Sequence, residues 1–337
     1  MNRKIKYHLF ISSNAIKGGP SSFTKNLANS FNYFKSIELT NNLLLSDIVL
    51  LIGENYKIKD LVLSLLSNKK IIYRLDGRRF SLLSSVKFKR EGKNSIVKFF
   101  KAIFFEVKVI TAFSLAKKII YQSNFTRKQF NFIETIYKKN FKVVLNPINI
   151  NDLKNNPIDL NAKYEIPFDK YVVISKGYIH QSELLKVAYK LFTNLGIKIY
   201  VFGNYKNDIL NKYPLIKFFG YVNSETYKSY LKNCFSFLCI EDYACCPNAL
   251  IEAQFMGKPI IGPNNGSLPE MCPAPELQLL NYDSNIEIKL KKLIETYSEN
   301  YDYWVKKSFK FADSKFGINQ YKEYCKFFTN DDKNSPN

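Results

Sequence analysis

The chain has 337 residues, too many for one ordinary core and about right for two domains. With 46% hydrophobic and 23% charged residues it can fill a sizeable interior, which excludes a wholly disordered chain. The 50 basic residues against 29 acidic ones leave +21, a field that attracts nucleotides, phosphoryl sugars, anionic lipid headgroups or nucleic acid without choosing among them.

Short β-branched and aromatic runs alternate with longer amphipathic ones, the pattern of strands and helices wound around parallel sheets. In the first half the runs predict strands at 4–11, 36–39, 47–52, 70–74, 118–122 and 142–145, and helices at 20–34, 57–67, 95–116 and 124–138. A stretch rich in Asn and Asp, with Pro157 and Pro167, follows at 151–169 and has linker chemistry. The second half repeats the scheme, with strands at 171–175, 197–202, 216–219, 235–240 and 259–261. Its helices are expected at 182–194, 224–232, 247–257 and 285–298. The stretch 299–328 is helical and aromatic, and a frayed tail ends the chain.

The six cysteines form no CxxC pair, and His8 and His180 are the only histidines, so neither a zinc site nor a disulfide framework is indicated. The apolar run Leu9-Phe10-Ile11 is too short for a secretory signal, and no uncharged run approaches the length of a membrane span. The chain is expected in the cytoplasm with reduced thiols.

Three segments carry candidate chemistry. Lys17-Gly18-Gly19-Pro20 follows the first strand. Its glycines admit a close backbone approach and its helix start offers free N–H groups to an anion, although a plain strand-to-helix turn explains it equally well. Arg74-Leu75-Asp76-Gly77-Arg78-Arg79 lies at a strand end, where α/β sheets bind ligands. Asp76 is expected to stay ionised beside three arginines and to accept a hydrogen bond from a sugar hydroxyl; an Arg–Asp pair fastening a loop is the alternative. The third segment runs from Gly220 to Glu270. There Pro247 opens a helix, Gly257 stops it, and Glu252 is a lone carboxylate on a mostly apolar element, suited to a ribose diol. Gly266-Ser267 then opens a short helix whose amides suit a phosphate.

This third segment resembles the signature region of family-4 retaining glycosyltransferases of the GT-B fold, in a subgroup with Cys-Pro-Asn in the loop. Gly18-Gly19, Arg74-Leu75-Asp76-Gly77, Gln122-Ser123-Asn124-Phe125-Thr126 and Asn146-Pro147 resemble further motifs of that family, in the same order. The resemblance implies an α/β protein of two doubly wound Rossmann-like domains with a cleft between them. It assigns 1–150 to an acceptor-side domain, 151–169 to the linker and 170–310 to a nucleotide-sugar-binding domain. The helix at 311–328 would pack back across the cleft, and 329–337 would be a disordered tail. Donor contacts would come from Gly18, Gly19, Lys176, Glu252, Gly266, Ser267 and Leu268, with Asp76 and Asp242 at the chemistry and Arg74 and Arg78 on the acceptor side.

The family's first signature Glu falls on Ala244, so Asp242 or Glu241 would have to replace it, and the arginine that accompanies Lys176 is missing. The resemblance implies a nucleotide-diphosphate sugar as the donor and a glycan or lipid-linked glycan as the acceptor, with no cofactor and no metal. A non-catalytic GT-B-like nucleotide- or glycan-binding scaffold subunit is the alternative. Nucleic acid is not expected, since no RNA- or DNA-binding motif accompanies the charge. The basic, Phe-rich segment 87–118, with Lys87, Lys98, Lys101, Lys108 and Lys118, reads either as a core helix with one solvated stripe or as a contact for an anionic membrane at its inner face.

Overall fold

The computed structural model describes residues 7–14, 19–34, 37–77, 95–149, 151–152, 157–175, 182–203 and 208–329. The chain divides into two compact units, Met1–Ile150 with Ile318–Asn337, and Asn151–Gly317.

The first unit is built on six strands: β1 (Tyr7–Ser12), β2 (Ile37–Leu39), β3 (Ile48–Ile52), β4 (Lys70–Leu75), β5 (Lys118–Tyr121) and β6 (Asn140–Val143). All pair in parallel, in the order β2-β1-β3-β4-β5-β6. Strand β3 is buried along its whole length, as a strand covered on both faces must be. One face carries the turn Leu43–Leu45 and the helices α1 (Gly19–Phe34), α2 (Ile58–Leu66), α3 (Ser95–Leu115), α4 (Asn124–Lys128) and α5 (Asn131–Tyr137) divide between the two faces. Leu43, Leu61, Phe113 and Ile133 bring that turn, α2, α3 and α5 into one core cluster with β3, β4 and β5. The expected single helix at 124–138 is two: Ser123 caps the first, and the buried Phe130 adopts a non-helical conformation between them.

The second unit repeats the plan with β7 (Tyr171–Ile174), β8 (Lys198–Phe202), β9 (Ile216–Gly220), β10 (Ser236–Leu238), β11 (Ile260–Pro263) and β12 (Leu279–Leu280). Their order is β12-β11-β10-β7-β8-β9, again parallel throughout. Its helices are α6 (Glu183–Asn194), α7 (Asp208–Lys212), α8 (Ser224–Asn233), α9 (Asn248–Phe255), α10 (Leu268–Met271), α11 (Pro275–Gln278), α12 (Ile286–Glu299) and α13 (Tyr301–Phe316). Strand order reverses between β1 and β3 in the first sheet and between β7 and β10 in the second, and such switch points open ligand crevices at the strands' C-terminal ends.

The described part of the expected linker is packed rather than bare. Ile158 is buried, and the Tyr164 amide donates to Asp302 of α13 at 2.9 Å. The terminal helix is also broken: α13 stops at Gly317, where an added Cβ would lie 2.1 Å from the Asp313 carbonyl oxygen. A separate helix, α14 (Ile318–Thr329), then returns to the first unit. There Tyr321 and Tyr324 donate to the carbonyls of Ile148 and Val144. The ammonium groups of Lys118 and Lys70 reach the Phe327 and Phe328 carbonyls at 3.1 and 3.4 Å, placing two cations at the negative end of the helix dipole. Lys118 is thus a buried clamp, and Lys108 likewise donates inward, to the carbonyls of Glu54 and Tyr56. Lys87, Lys89, Arg90 and Lys93 lie outside the described residues, as do the side chains of 95–102. No helix among the described residues is long and apolar enough to cross a membrane.

Helix α9, the element that carries Glu252, is positioned by Gly257. This residue has φ +70°, and a Cβ on it would lie 2.7 Å from Val305 Cγ1 and 2.9 Å from Ile158 Cδ1. Gly257→Ala combines a left-handed backbone with a clash, so it should cost about 2–3 kcal/mol of stability, measured as a lower urea midpoint.

Candidate functional site

Register alone aligns the first unit's polar strand ends. Ile52 pairs with Arg74, and Leu75 with Tyr121, so Gly53, Asp76 and Gln122 leave the sheet side by side. Arg74 is 1% exposed although charged, and the surrounding residues account for that. Its guanidinium ion-pairs with Asp76 Oδ1, donates to Gln122 Oε1 at 3.1 Å and to Asn146 Oδ1, and lies 3.7 Å over the Phe23 ring. Its Nε meets the Tyr324 hydroxyl of α14 at 3.4 Å. Arg74 was expected on the acceptor side, but these bonds turn it into the protein, where it positions Asp76. Gln122 completes the arrangement by donating to the Asp76 carbonyl at 2.7 Å.

Asp76 keeps one oxygen uncommitted. Oδ2 has no hydrogen-bond partner among the described residues, and it lies where a Cβ on Gly53 would come within 2.4 Å of it. Only glycine fits at position 53, which has φ +47°. Burial raises the Asp76 carboxyl above its ordinary range, and the Arg74 guanidinium opposes this without reversing it. Of the three arginines expected beside Asp76, Arg74 faces it, and Arg78 and Arg79 lie outside the described residues.

In the second unit, the loops after β10 and β11 are laced together. The Ser267 amide donates to the Ala244 carbonyl at 2.8 Å, and the Tyr243 amide to Asn265 Oδ1 at 2.7 Å. Gly266, at φ +63°, is essential here because a Cβ would lie 2.7 Å from both the nitrogen and the oxygen of Ala244. Asp242 Oδ1 accepts from Asn265 at 3.2 Å and from the Tyr282 hydroxyl. Its side chain is exposed, while Ala244 is buried.

This lacing revises the expected phosphate contacts. The Ser267 amide is committed to Ala244 and the Leu268 amide to the Asn265 carbonyl at 3.4 Å, and both side chains are fully buried. Among the described residues the Gly266 amide is the one of the three without a backbone acceptor. One strand over, α9 begins at Asn248 with no side-chain cap among the described residues, and the Leu250 and Ile251 amides turn back to the Pro247 carbonyl.

Glu252 sits one turn into α9 and is half-buried, while Leu250, Ile251, Ala253, Gln254 and Phe255 around it are buried. No hydrogen bond to its carboxylate occurs among the described residues. Burial pushes its pKa up to about 7, Lys228 lowers it and Asp152 raises it. Those two neighbours pair with each other at 2.5 Å, which leaves Glu252 uncompensated. Tyr227 of α8 also feels its charge. Gly19 is the first residue of α1, beyond the end of β1. Gly18, Arg78 and Lys176 lie outside the described residues.

Gln122, Asn146, Gly53, Asn265 and Tyr282 were assigned no role from sequence. The signal available was a polar or glycine residue immediately beyond the end of a buried parallel strand, which Gly53 and Gln122 satisfy.

The raised Glu252 carboxyl makes stability depend on pH. The folded chain holds its proton more tightly than the unfolded chain, whose value is near 4.5, so its contribution is full below that pH and is lost as pH rises through about 7. Glu252→Gln should therefore be more stable than the parent by about 1–3 kcal/mol at pH 8 and indistinguishable at pH 4, compared in paired denaturation curves.

No protein-family model and no curated protein matches the sequence. Solved structures do match the fold. The sucrose-phosphate synthase of Thermosynechococcus elongatus superposes with a TM-score of 0.68 at 10% identity, over 96% of this chain and 98% of that one. WaaG, a glycosyltransferase involved in lipopolysaccharide biosynthesis, gives 0.64 at 11% identity, over 96% and 100%. HepE of Anabaena in complex with UDP gives 0.63 at 12% identity, over 96% and 99%. The two six-stranded parallel sheets of this chain are the GT-B architecture of these glycosyltransferases.

Proposed function

We propose that this protein is a retaining glycosyltransferase that moves a hexose from a nucleoside-diphosphate sugar to a glycan or lipid-linked glycan acceptor in surface-polysaccharide synthesis. The observation that carries the reading is Glu252: a half-buried carboxylate with no donor among the described residues, one turn into the helix that leaves the switch-point strand β10. A ribose diol supplies the two donors it lacks. HepE, of the same fold, has been captured with UDP and with UDP-glucose.

In this reading the uncapped start of α9, the Gly266 amide and Lys176 stabilise the departing diphosphate, with no metal required. The bond between C1 and the phosphate oxygen breaks as the acceptor oxygen bonds to C1 from the same face. The acceptor proton passes to the departing phosphate oxygen. Asp76 Oδ2 accepts a hydrogen bond from the acceptor hydroxyl and orients it, while Arg74 holds the opposite oxygen in place. Asp242, fixed by Asn265 and Tyr282, takes the position nearest in sequence to the absent Glu and meets the donor hexose.

A second reading, a nucleotide-binding scaffold without turnover, is favoured by Ala244: the residue is buried and its backbone is locked to Gly266 and Ser267.

A panel of UDP- and GDP-sugars with nucleoside diphosphate release as readout tests both. Asp76→Asn keeps an acceptor for Arg74 but loses the charge, so kcat should fall about 100-fold with nucleotide affinity unchanged. Glu252→Gln should weaken nucleotide binding about tenfold and abolish its strengthening as pH rises through about 7. Binding without release from any donor, with glycan and lipid-linked acceptors supplied, establishes the scaffold. Neither binding nor release refutes both readings.

A further inference from the structure

Almost the whole charge of the chain belongs to one unit. Residues 1–150 and 318–337 hold 30 basic and 11 acidic residues, a net +19, whereas 151–317 hold 20 and 18, a net +2. The same first unit has a helix whose polarity is inverted. On α2, Asp60 and Ser64 are buried, bonded to Ser12 and to the Asp60 carbonyl, while Ile58, Val62, Leu65 and Leu66 are exposed. Their spacing of i, i+4, i+7 and i+8 makes one continuous apolar stripe on the outer side.

That stripe continues onto its neighbours. The Leu43–Leu45 turn is tied to the end of α2 by Lys69, which donates to the Leu44 carbonyl at 2.7 Å, and it presents Leu44 and Leu45 at 58% and 68% exposure. Helix α3 is fixed beside the start of α2 by Lys108, bonded to Glu54 and Tyr56, and it exposes Phe104 and Val107. The inner residues of all three elements pack into one core on a single sheet face, so their outer residues belong to a single layer. Exposed Lys57 and Lys59 flank it.

We infer that this layer docks on an anionic membrane surface, with Leu66, Phe104 and their neighbours entering the acyl boundary and the flanking lysines meeting the headgroups. Burying so many exposed apolar side chains requires an apolar occupant, and a unit of +19 selects an anionic one. A second copy of this chain would bring the same charge against it. The inference is independent of the enzymatic reading, since adsorption needs no turnover.

The test is co-sedimentation of the full chain with phosphatidylcholine vesicles, with and without about one third phosphatidylglycerol. The chain should bind the anionic vesicles at least about tenfold more tightly than the neutral ones. The pair Leu66→Glu and Phe104→Glu should lower that affinity about tenfold or more, with an unchanged melting temperature. Lys57→Glu with Lys59→Glu should lower it several-fold, and more at low salt. Absence of binding to anionic vesicles overturns the inference. So does binding that the lysine reversal abolishes and the apolar pair leaves intact, or a dimer in solution that the apolar pair dissociates while vesicles capture nothing.

Discussion

The first unit depends on one buried cation. Removing a guanidinium from water costs several kcal/mol unless its nitrogens find acceptors, and each nitrogen of Arg74 does, with groups from four places in the chain. Asp76 follows its own strand, Gln122 ends β5, Asn146 follows β6, and Tyr324 belongs to α14. The charge therefore joins the loop ends of three parallel strands to the last helix, and its fork geometry dictates where each partner sits. Lysine, with a single point of charge, cannot hold all of them. The free oxygen of Asp76 is a consequence: the arginine takes one face of the carboxylate, Gly53 backs the other oxygen, and no donor among the described residues reaches it.

The second unit fastens its strand ends by a different means. Its strand-end loops are held by main-chain bonds and by Asn265, which accepts from Tyr243 and donates to Asp242. A glycine at 266 lets the two backbones touch. That contact uses the Ser267 amide, and the Leu268 amide turns back to the Asn265 carbonyl, so a loop whose composition suggests an anion cradle is in large part a structural clasp. Ala244 follows from the same constraint. Its nitrogen and carbonyl are both pressed against Gly266, and its small side chain is buried, so the loop is organised around the glycine contact at the position where the resembling family carries a carboxylate.

Strand and helix alternation made the architecture legible, because parallel strands buried on both faces read as unbroken apolar runs such as Ile48–Ile52. The switch from linker to packed segment at 157–169 was not legible, since Ile158 and Tyr164 are held by distant partners on α13 and at Gly257. The break at Gly317 carries a local signal, a glycine inside a helical pattern, that the aromatic run around it overrode. In the candidate sites, residue types were readable and their commitments were not. Arg74 and Asp76 stood out as strand-end charges, but that one is buried and the other raised in pKa depends on residues 46 to 250 positions away. Glu252 was readable because an isolated carboxylate on an apolar helix has no local purpose.

The uneven distribution of charge constrains how a donor can be held. A nucleoside diphosphate brought to the second unit meets a net charge of only +2, so long-range attraction contributes little and the grip has to be local. Amides at a helix start are suited to that, since their partial charges act within a turn and lose little to salt when shielded. Glu252 would repel a diphosphate if it were fully ionised and near. Its pKa of about 7 softens this, because burial keeps a substantial share of the carboxyl neutral until hydroxyl donors arrive to favour the charge. The field of the first unit then has a separate task. On the membrane-docking proposal, that field acts together with the outward-pointing leucines and phenylalanine at a surface, and recognition of the donor is left to short-range bonds.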